Sequence, residues 1–198
     1  MTNFALIVLA YLLGSIPFAI VMSRLFGLPD PREYGSKNPG ATNVLRSGNK
    51  LAALLTLLCD GAKGYFAVWL AQRFAAPDAV VSAAAVSAFL GHLFPLFLRL
   101  RGGKGVATSF GAWLALDAWL GLTGLIVWAV TAFATRISSA AALSAAIVVP
   151  VLSAWRSGMS LLTFTVFVMS ALLILRHAKN IRNLLARSEG KIGKAPPP

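Results

Sequence analysis

Apolar residues in this chain fall into seven runs, most of them close to the roughly 20 residues that cross a bilayer as a helix. The predicted spans are 3–25, 51–71, 79–98, 105–119, 121–135, 138–154 and 159–176. The pattern predicts an all-α integral membrane protein with seven transmembrane helices, in a single domain over residues 1–198. Residues 105–135 also fit one long span with a re-entrant piece, which would change the number of crossings.

Three local features modify this pattern. Pro17 and Pro95 lie inside apolar runs, and proline there removes a backbone hydrogen bond and clashes with the preceding turn, so two kinks are predicted. The fourth run is short, and we expect that helix to be tilted or partly buried. The last residues, 195–198, are expected to be disordered.

Composition and charge placement agree with a membrane protein and predict its orientation. The chain is 58% apolar with a mean hydropathy of +0.76, which excludes an ordinary soluble domain. Fifteen of the 18 Lys and Arg fall in the odd-numbered loops and the C-terminal tail, whereas the even loops hold only Arg73 and Arg156. The positive-inside rule therefore predicts an outside N-terminus and a cytoplasmic C-terminus. The net charge of +12 then suits anionic lipids and substrates and does not indicate nucleic acid.

The segment 34–50, YGSKNPGATNVLRSGNK, is unlike a plain connector between membrane helices. It is rich in glycine, amide, hydroxyl and basic side chains. Together these supply the backbone N–H groups and positive charge that hold a phosphate or carboxylate. The segment therefore predicts an anion site on the cytoplasmic side.

Further polar clusters are predicted on the same face, and each also has a purely structural interpretation. Asp60 and Lys63 are three positions apart within a span, so they could form an ion pair with a structural role. Because charges inside a membrane are costly, the same two residues are also candidates for a functional site. His92 could serve helix packing or chemistry. Ser138 and Ser139 could cap the sixth span or contribute a hydroxyl to the site. The glycines around Lys104 could form a simple turn, and their spacing is not that of a nucleotide-binding P-loop.

Four motifs together resemble those of the acyl-phosphate-dependent glycerol-3-phosphate acyltransferases, the PlsY family of bacterial membranes. They are GSKNPGATNVLR at 35–46, GGKGVAT at 102–108, TRISS at 135–139 and RHAKNI at 176–181. The resemblance implies transfer of a fatty acyl group from acyl phosphate to the 1-hydroxyl of glycerol 3-phosphate, giving lysophosphatidic acid and phosphate. It implies a bacterial inner-membrane enzyme with its active site on the cytoplasmic face, membrane lipids around it and no cofactor.

The resemblance also implies the site residues. Catalytic roles are implied for Ser36, Arg46, Lys104, Ser139, His177 and Asn180. Substrate binding is implied for Lys37, Asn38, Gly40, Thr42, Asn43, Arg101, Gly102 and Gly103, the last two through their amide N–H groups. The sequence departs from the family pattern at Ala178, where arginine is common, and at Ala142, where a second serine often occurs.

The placement of acidic residues bears on mechanism. The residues five positions after His92 and His177 are Phe97 and Arg182, so the sequence places no carboxylate to orient either histidine as a base. This favours a mechanism in which a substrate phosphate oxygen accepts the hydroxyl proton and no acyl-enzyme forms. His177 as general base is the competing hypothesis.

Two other classes fit the composition without the resemblance. An anion or organophosphate transporter would need a polar path through the membrane and usually two related halves. A lipid-binding scaffold would not need so many small hydrogen-bond donors. No cluster of acidic residues or histidines suited to a metal ion is apparent.

Overall fold

The structure is a computed structural model that describes residues 2–192, so the tail expected to be disordered lies outside the described residues. All regular elements within that range are helical. The α-helices are α1 Asn3–Gly14, α2 Phe18–Leu25, α3 Ala41–Leu45, α4 Lys50–Arg73, α5 Asp78–Leu93, α6 Val106–Leu116, α7 Ala118–Thr135, α8 Ser138–Ser157, α9 Leu161–Arg176 and α10 Ala178–Leu185. A 3-10 turn covers Leu96–Leu98.

Four to six candidate membrane spans are present among residues 2–192. Helices α4, α7 and α8, and α5 with its 3-10 extension, are each long and apolar enough to cross a membrane. The pairs α1–α2 and α9–α10 qualify only when each bent pair is taken as one span. Helix α6, the predicted fourth span, has 11 residues and is therefore about 16 Å long at 1.5 Å per residue.

The helices end or bend where polar residues and prolines interrupt the apolar runs. The predicted kink at Pro17 is confirmed, since α1 and α2 meet at 43° there. At Pro95 the helix ends instead of kinking, because α5 stops at Leu93 and a 3-10 turn follows. Residues 105–135 form two helices, since Asp117 separates α6 from α7 and caps α7 through the amides of Trp119 and Leu120 (2.8 and 3.3 Å).

Small residues bring the helices of the bundle into close contact. Gly14 and Gly91 allow the backbones of α1 and α5 to touch, and Gly64 and Gly111 do the same for α4 and α6. Large apolar side chains such as that of Phe133 point outward, as expected for a surface covered by lipid. The α4–α6 contact matters most for the site, because these two helices form one wall of its cavity.

Candidate active site

A cavity of about 550 Å³ opens where the ends of several helices meet the first loop. One end is polar and the other apolar. Its polar lining includes Ser36, Asn38, Gly40, Thr42, Asn43, Arg46, Asp60, Tyr65, His92, Lys104, Ser138, Ser139, His177, Asn180 and Glu189. Its apolar lining includes Leu57, Leu58, Phe66, Val106, Phe110, Leu114, Leu125 and Trp128. The cavity is therefore shaped for an amphiphilic ligand with a polar head.

A chain of hydrogen bonds crosses the polar end of the cavity. The Lys104 ammonium donates to Oδ1 of Asn180 (2.6 Å), and Nδ2 of Asn180 donates to Oε1 of Glu189 (2.6 Å). The same oxygen accepts a hydrogen bond from the Ser139 hydroxyl (2.8 Å). These four residues come from the α5–α6 loop, α8, α10 and the tail, so only the tertiary fold joins them.

The first loop is organised by the buried side chain of Asn43. Its Nδ2 donates to the carbonyl oxygens of Pro31 (2.5 Å) and Tyr34 (3.1 Å). Its Oδ1 accepts from the Ser36 amide (3.0 Å) and from Nη1 of Arg46 (3.2 Å). Asn43 thus uses its hydrogen-bonding groups within the protein, and it holds Arg46 where that side chain lines the cavity.

The serines at the start of α8 join other parts of the site. The hydroxyls of Ser138 and Thr42 lie 3.1 Å apart, which ties the first loop to α8, and Ser139 bonds Glu189 as described. The structural interpretation of the two serines as a helix cap is wrong. Ile137 occupies the cap position, and no side chain caps the helix there.

Positive charge exceeds negative charge at the polar end. Arg46 and Lys104 line the cavity together with two carboxylates, Glu189 and Asp60. The charge of Asp60 is already paired with Lys63 at 2.8 Å, which leaves Glu189 as the carboxylate that faces the two cations. Burial is the main cause that lowers the pKa of Lys104 to about 8, and the positive charges of Arg46 and Arg176 lower it further, while Glu189 opposes them. Burial also lowers the pKa of Arg46. Both pKa shifts arise because burial removes water from the charged groups and so destabilises their cationic forms. An anionic ligand would stabilise those cationic forms.

His177 lies beyond the end of α9, where the chain bends by 60° into α10. Its Nδ1 is 2.8 Å from the carbonyl oxygen of Leu173. A carbonyl can only accept, so Nδ1 carries the proton and Nε2 of the neutral ring has the lone pair. Burial, followed by the charge of Lys104, lowers the pKa of His177 to about 4. His177 and Asn180 both line the cavity, His177 from the break between α9 and α10 and Asn180 from α10.

Some predicted binding residues are used differently. The amides of Gly102 and Gly103, expected to face an anion, donate instead to the carbonyl oxygens of Leu93 (3.2 Å) and His92 (3.1 Å). The expectation that these two N–H groups are available is therefore wrong. Lys37 and Arg101 are exposed and do not line the cavity.

The structure also adds acidic residues that sequence spacing missed. Glu189 reaches the site from the tail, and the only signal for it was an isolated acid among basic residues. A carboxylate does lie beside His92, contrary to the prediction from sequence spacing, because Oδ1 of Asp60 is 3.5 Å from its Nδ1. The predicted ion pair of Asp60 with Lys63 is confirmed at 2.8 Å.

Among residues 2–192, no group of three or more potential metal ligands occurs together.

Residues 2–192 form a helical bundle with an apolar exterior, and its cavity joins a cationic end to an apolar groove. These features define a class of membrane proteins that bind an amphiphilic anion. Known proteins narrow this class. The sequence profile of the glycerol-3-phosphate acyltransferase family matches residues 4–187. The chain belongs to this family and is a glycerol-3-phosphate acyltransferase of the PlsY type, so the resemblance found in the motifs is confirmed. The transporter and scaffold alternatives have no comparable support.

Individual relatives agree along nearly the whole chain. The glycerol-3-phosphate acyltransferase of Herminiimonas arsenicoxydans is 58% identical over 188 residues, covering 93% of this chain and 92% of that protein. The enzyme of Janthinobacterium sp. (strain Marseille) is 56% identical, covering 93% and 94%. Crystal structures of PlsY (YgiH), an integral membrane glycerol 3-phosphate acyltransferase, are similar in fold. Its glycerol 3-phosphate form has a TM-score of 0.91 at 34% identity, covering 98% of this chain and 96% of that one. Its lysophosphatidic acid form has a TM-score of 0.88 at 32% identity, covering 96% and 95%.

Proposed function

We propose that this enzyme transfers a fatty acyl group from acyl phosphate to the 1-hydroxyl of glycerol 3-phosphate, giving lysophosphatidic acid and inorganic phosphate. One observation carries the proposal: a single cavity joins a cationic, hydroxyl-rich end to an apolar groove. Both substrates carry phosphate and one carries a long hydrocarbon chain, so the reaction needs both halves. The glycerol 3-phosphate and lysophosphatidic acid forms of the solved relative support the same acceptor and product.

The polar end would supply the groups that bind the two phosphates. Arg46 and Lys104 provide positive charge, and charge-assisted bonds to phosphate are the stronger kind of hydrogen bond. The hydroxyl of Ser36 and the side-chain amide of Asn38 also line the cavity and would provide further donors. The Lys104 ammonium donates to Asn180, and a phosphate oxygen would compete with that amide for the ammonium.

The apolar groove would hold the acyl chain. Its walls come from α4, α6 and α7, with Phe66, Phe110, Leu114, Leu125 and Trp128 among the lining residues. Since the outer faces of the helices expose many large apolar side chains, the product can leave sideways into lipid.

The proton of the 1-hydroxyl would pass to a phosphate oxygen of the acyl phosphate. The hydroxyl oxygen forms the new ester bond to the acyl carbon, the bond between that carbon and the bridging oxygen breaks, and phosphate leaves with the proton. A histidine with a pKa near 4 is a weak base at neutral pH, which supports this route over His177 as base. Holding the two reactants in line can contribute about 7–11 kcal/mol to lowering the barrier.

A donor comparison tests the proposal. Purified enzyme is incubated with glycerol 3-phosphate and either palmitoyl phosphate or palmitoyl-CoA, and lysophosphatidic acid and phosphate are measured. We expect turnover with palmitoyl phosphate only; turnover with palmitoyl-CoA alone would reject the donor. Intact-mass measurement after exposure to palmitoyl phosphate without acceptor tests the mechanism, because an added palmitoyl group on the protein would overturn the direct transfer.

We further propose that the chain forms one domain of seven crossings in the bacterial inner membrane, with the N-terminus outside and the active site on the cytoplasmic face. In this arrangement α1–α2, α4, α5, α6, α7, α8 and α9 each cross once. The support is the placement of positive charge, because the cavity's polar end lies with the basic loops. Reporter fusions at the two termini test it, and reporters active on the same side of the membrane would reject the odd number of crossings.

A further inference from the structure

The α5–α6 loop that carries Lys104 rests directly on His92. The Gly103 amide donates to the carbonyl oxygen of His92 (3.1 Å), and the edge of the imidazole at Nε2 packs against the α-carbon of Gly103. A methyl group on Gly103 would overlap that nitrogen. The backbone and the ring of His92 therefore both determine where the residue before Lys104 lies.

Arg176 is a second residue that holds the loop. Its guanidinium donates to the carbonyl oxygens of Gly102 (3.0 Å) and Gly103 (3.1 and 3.3 Å) and stacks over the ring of Phe94 at 5.4 Å. The loop is therefore held both by a cation and by an imidazole. Of these two partners, only His92 is in turn held by a buried charge pair.

The other edge of the His92 ring is fixed by two polar groups. Its Nδ1 lies 3.1 Å from the hydroxyl oxygen of Thr108 and 3.5 Å from Oδ1 of Asp60. Asp60 pairs with Lys63 at 2.8 Å, and the Lys63 ammonium also donates to the carbonyl oxygen of Ile16 (2.8 Å) at the break between α1 and α2. Asp60 and Lys63 are almost completely buried, at 3% and 5% exposure.

Such a pair is costly inside a membrane bundle, and its attraction alone does not explain its presence. It joins α4, the α1–α2 break and, through His92, the loop that presents Lys104. From these contacts we infer that His92 is a positioning residue for Lys104, held in its orientation by Asp60 and Thr108. This inference rests on the proposed role of Lys104 in binding a substrate phosphate.

A double-mutant cycle between His92 and Gly103 tests the contact. Gly103→Ala places a methyl group against the ring and should displace Lys104. His92→Ala removes the support. Each single change is expected to lower kcat/KM about 10- to 100-fold, mainly by raising KM for a phosphorylated substrate. The double variant should be no worse than the more severe single variant, because the methyl group then occupies the space that the ring has left.

The control pairs His92→Ala with Gly124→Ala. Gly124 lies on α7, and a methyl group there would touch Val149 and Phe110 but not His92. The effects of this pair should multiply. Independent effects of His92 and Gly103 would overturn the inference. If His92→Ala does not accumulate in the membrane, His92→Asn replaces it in the cycle, because its shorter side chain also leaves the space of Nε2.

The Lys104→Ala background separates this inference from the proposed function. There, His92→Ala should have no further effect on kcat/KM, whereas a residue needed only for folding would lower activity again. Full activity of Lys104→Ala itself would reject the proposed role of Lys104. A strong loss in Lys104→Ala combined with a further, independent loss from His92→Ala would reject only the positioning role.

Discussion

Helix α8 has a charged cluster near each end, and the two clusters are built differently. At its C-terminal end, Arg156 contacts both carboxylate oxygens of Asp117 (3.3 Å each) and stacks on Trp119 at 5.1 Å. At its N-terminal end, Ser139 joins the Glu189 carboxylate, which shares the polar end of the cavity with two cations. A helix of 20 residues is about 30 Å long, so the clusters act independently.

The difference lies in the balance of charge and in the space available. Asp117 and Arg156 neutralise each other at the surface, and Asp117 also caps α7, which is sufficient to explain both residues. At the other end the cations exceed the carboxylate and face a cavity, so an anion from outside would complete the balance. A cluster whose charges balance therefore indicates a structural role. A cluster with excess positive charge beside a cavity indicates binding of an anion.

The largest effect should come from removing a cation of the site. We expect Lys104→Ala and Arg46→Ala each to lower kcat/KM about 100- to 1,000-fold, because each removes a preorganised charge that faces phosphate. Arg156→Ala, which removes a cation from the balanced cluster, is the matched control and should stay within about twofold, as for an exposed ion pair. Equal losses in the three variants would contradict the comparison. Initial rates with purified, quantified protein provide the measurement.

The pH profile should depend on Lys104. With a pKa of about 8, its cation is lost as the pH rises through that value, so kcat/KM should fall about tenfold per pH unit on the alkaline side. Lys104 is surrounded by Glu189, Arg46, Arg176, Lys179 and the neutral His177 ring. Lys104→Arg keeps the charge and should move the fall to higher pH, whereas Lys179→Arg should leave it unchanged. A fall near pH 8 that persists in Lys104→Arg would contradict the assignment.

The apolar half of the cavity gives a smaller effect, on selectivity. Leu125 lines the groove, whereas its neighbour Ile126 is 61% exposed and is not among the lining residues. Leu125→Trp should fill part of the groove and shift the preference between palmitoyl phosphate and a shorter acyl phosphate about tenfold toward the shorter donor. Ile126→Trp should leave the preference unchanged. Competition between the two donors in one reaction measures the ratio, and an equal shift in both variants would contradict the placement of the acyl chain.

The smallest effect should come from the balanced cluster. Asp117→Ala removes the cap of α7 and the partner of Arg156, and should lower stability by about 1 kcal/mol, measured as thermal unfolding in detergent. Activity per folded molecule should remain within about twofold of wild type, because Asp117 does not line the cavity. A large loss of turnover without loss of stability would show that the two ends are coupled.

Several features followed from the sequence because they depend on local chemistry. The apolar runs coincide with helical segments, since a bundle in lipid must bury its backbone hydrogen bonds within helices. Pro17 marks a break and Asp60 pairs with Lys63, both of which are consequences of near neighbours in the chain. The motif at 35–46 helped to indicate the family, because its residues are consecutive in the chain and can be recognised without the fold.

Errors arose where a contact joined distant parts of the chain. Gly102 and Gly103 have the composition of an anion-binding loop, but their amides are used by the end of α5. Asp60 and His92 are 32 positions apart and meet only because α4 and α5 pack together. Glu189 gave almost no signal, because an acid in a basic tail has no periodic or local partner that predicts its position.

The sequence by itself determined that this is a helical membrane protein, and through its motifs it indicated the family, because hydrophobic runs and adjacent residue types are local properties. The tertiary structure decided which polar side chains share one cavity, that Glu189 links Ser139 with Asn180, and that His92 supports the loop of Lys104. These arrangements depend on how closely the helices approach one another. That distance is set by the packing of many side chains and is encoded in no single segment.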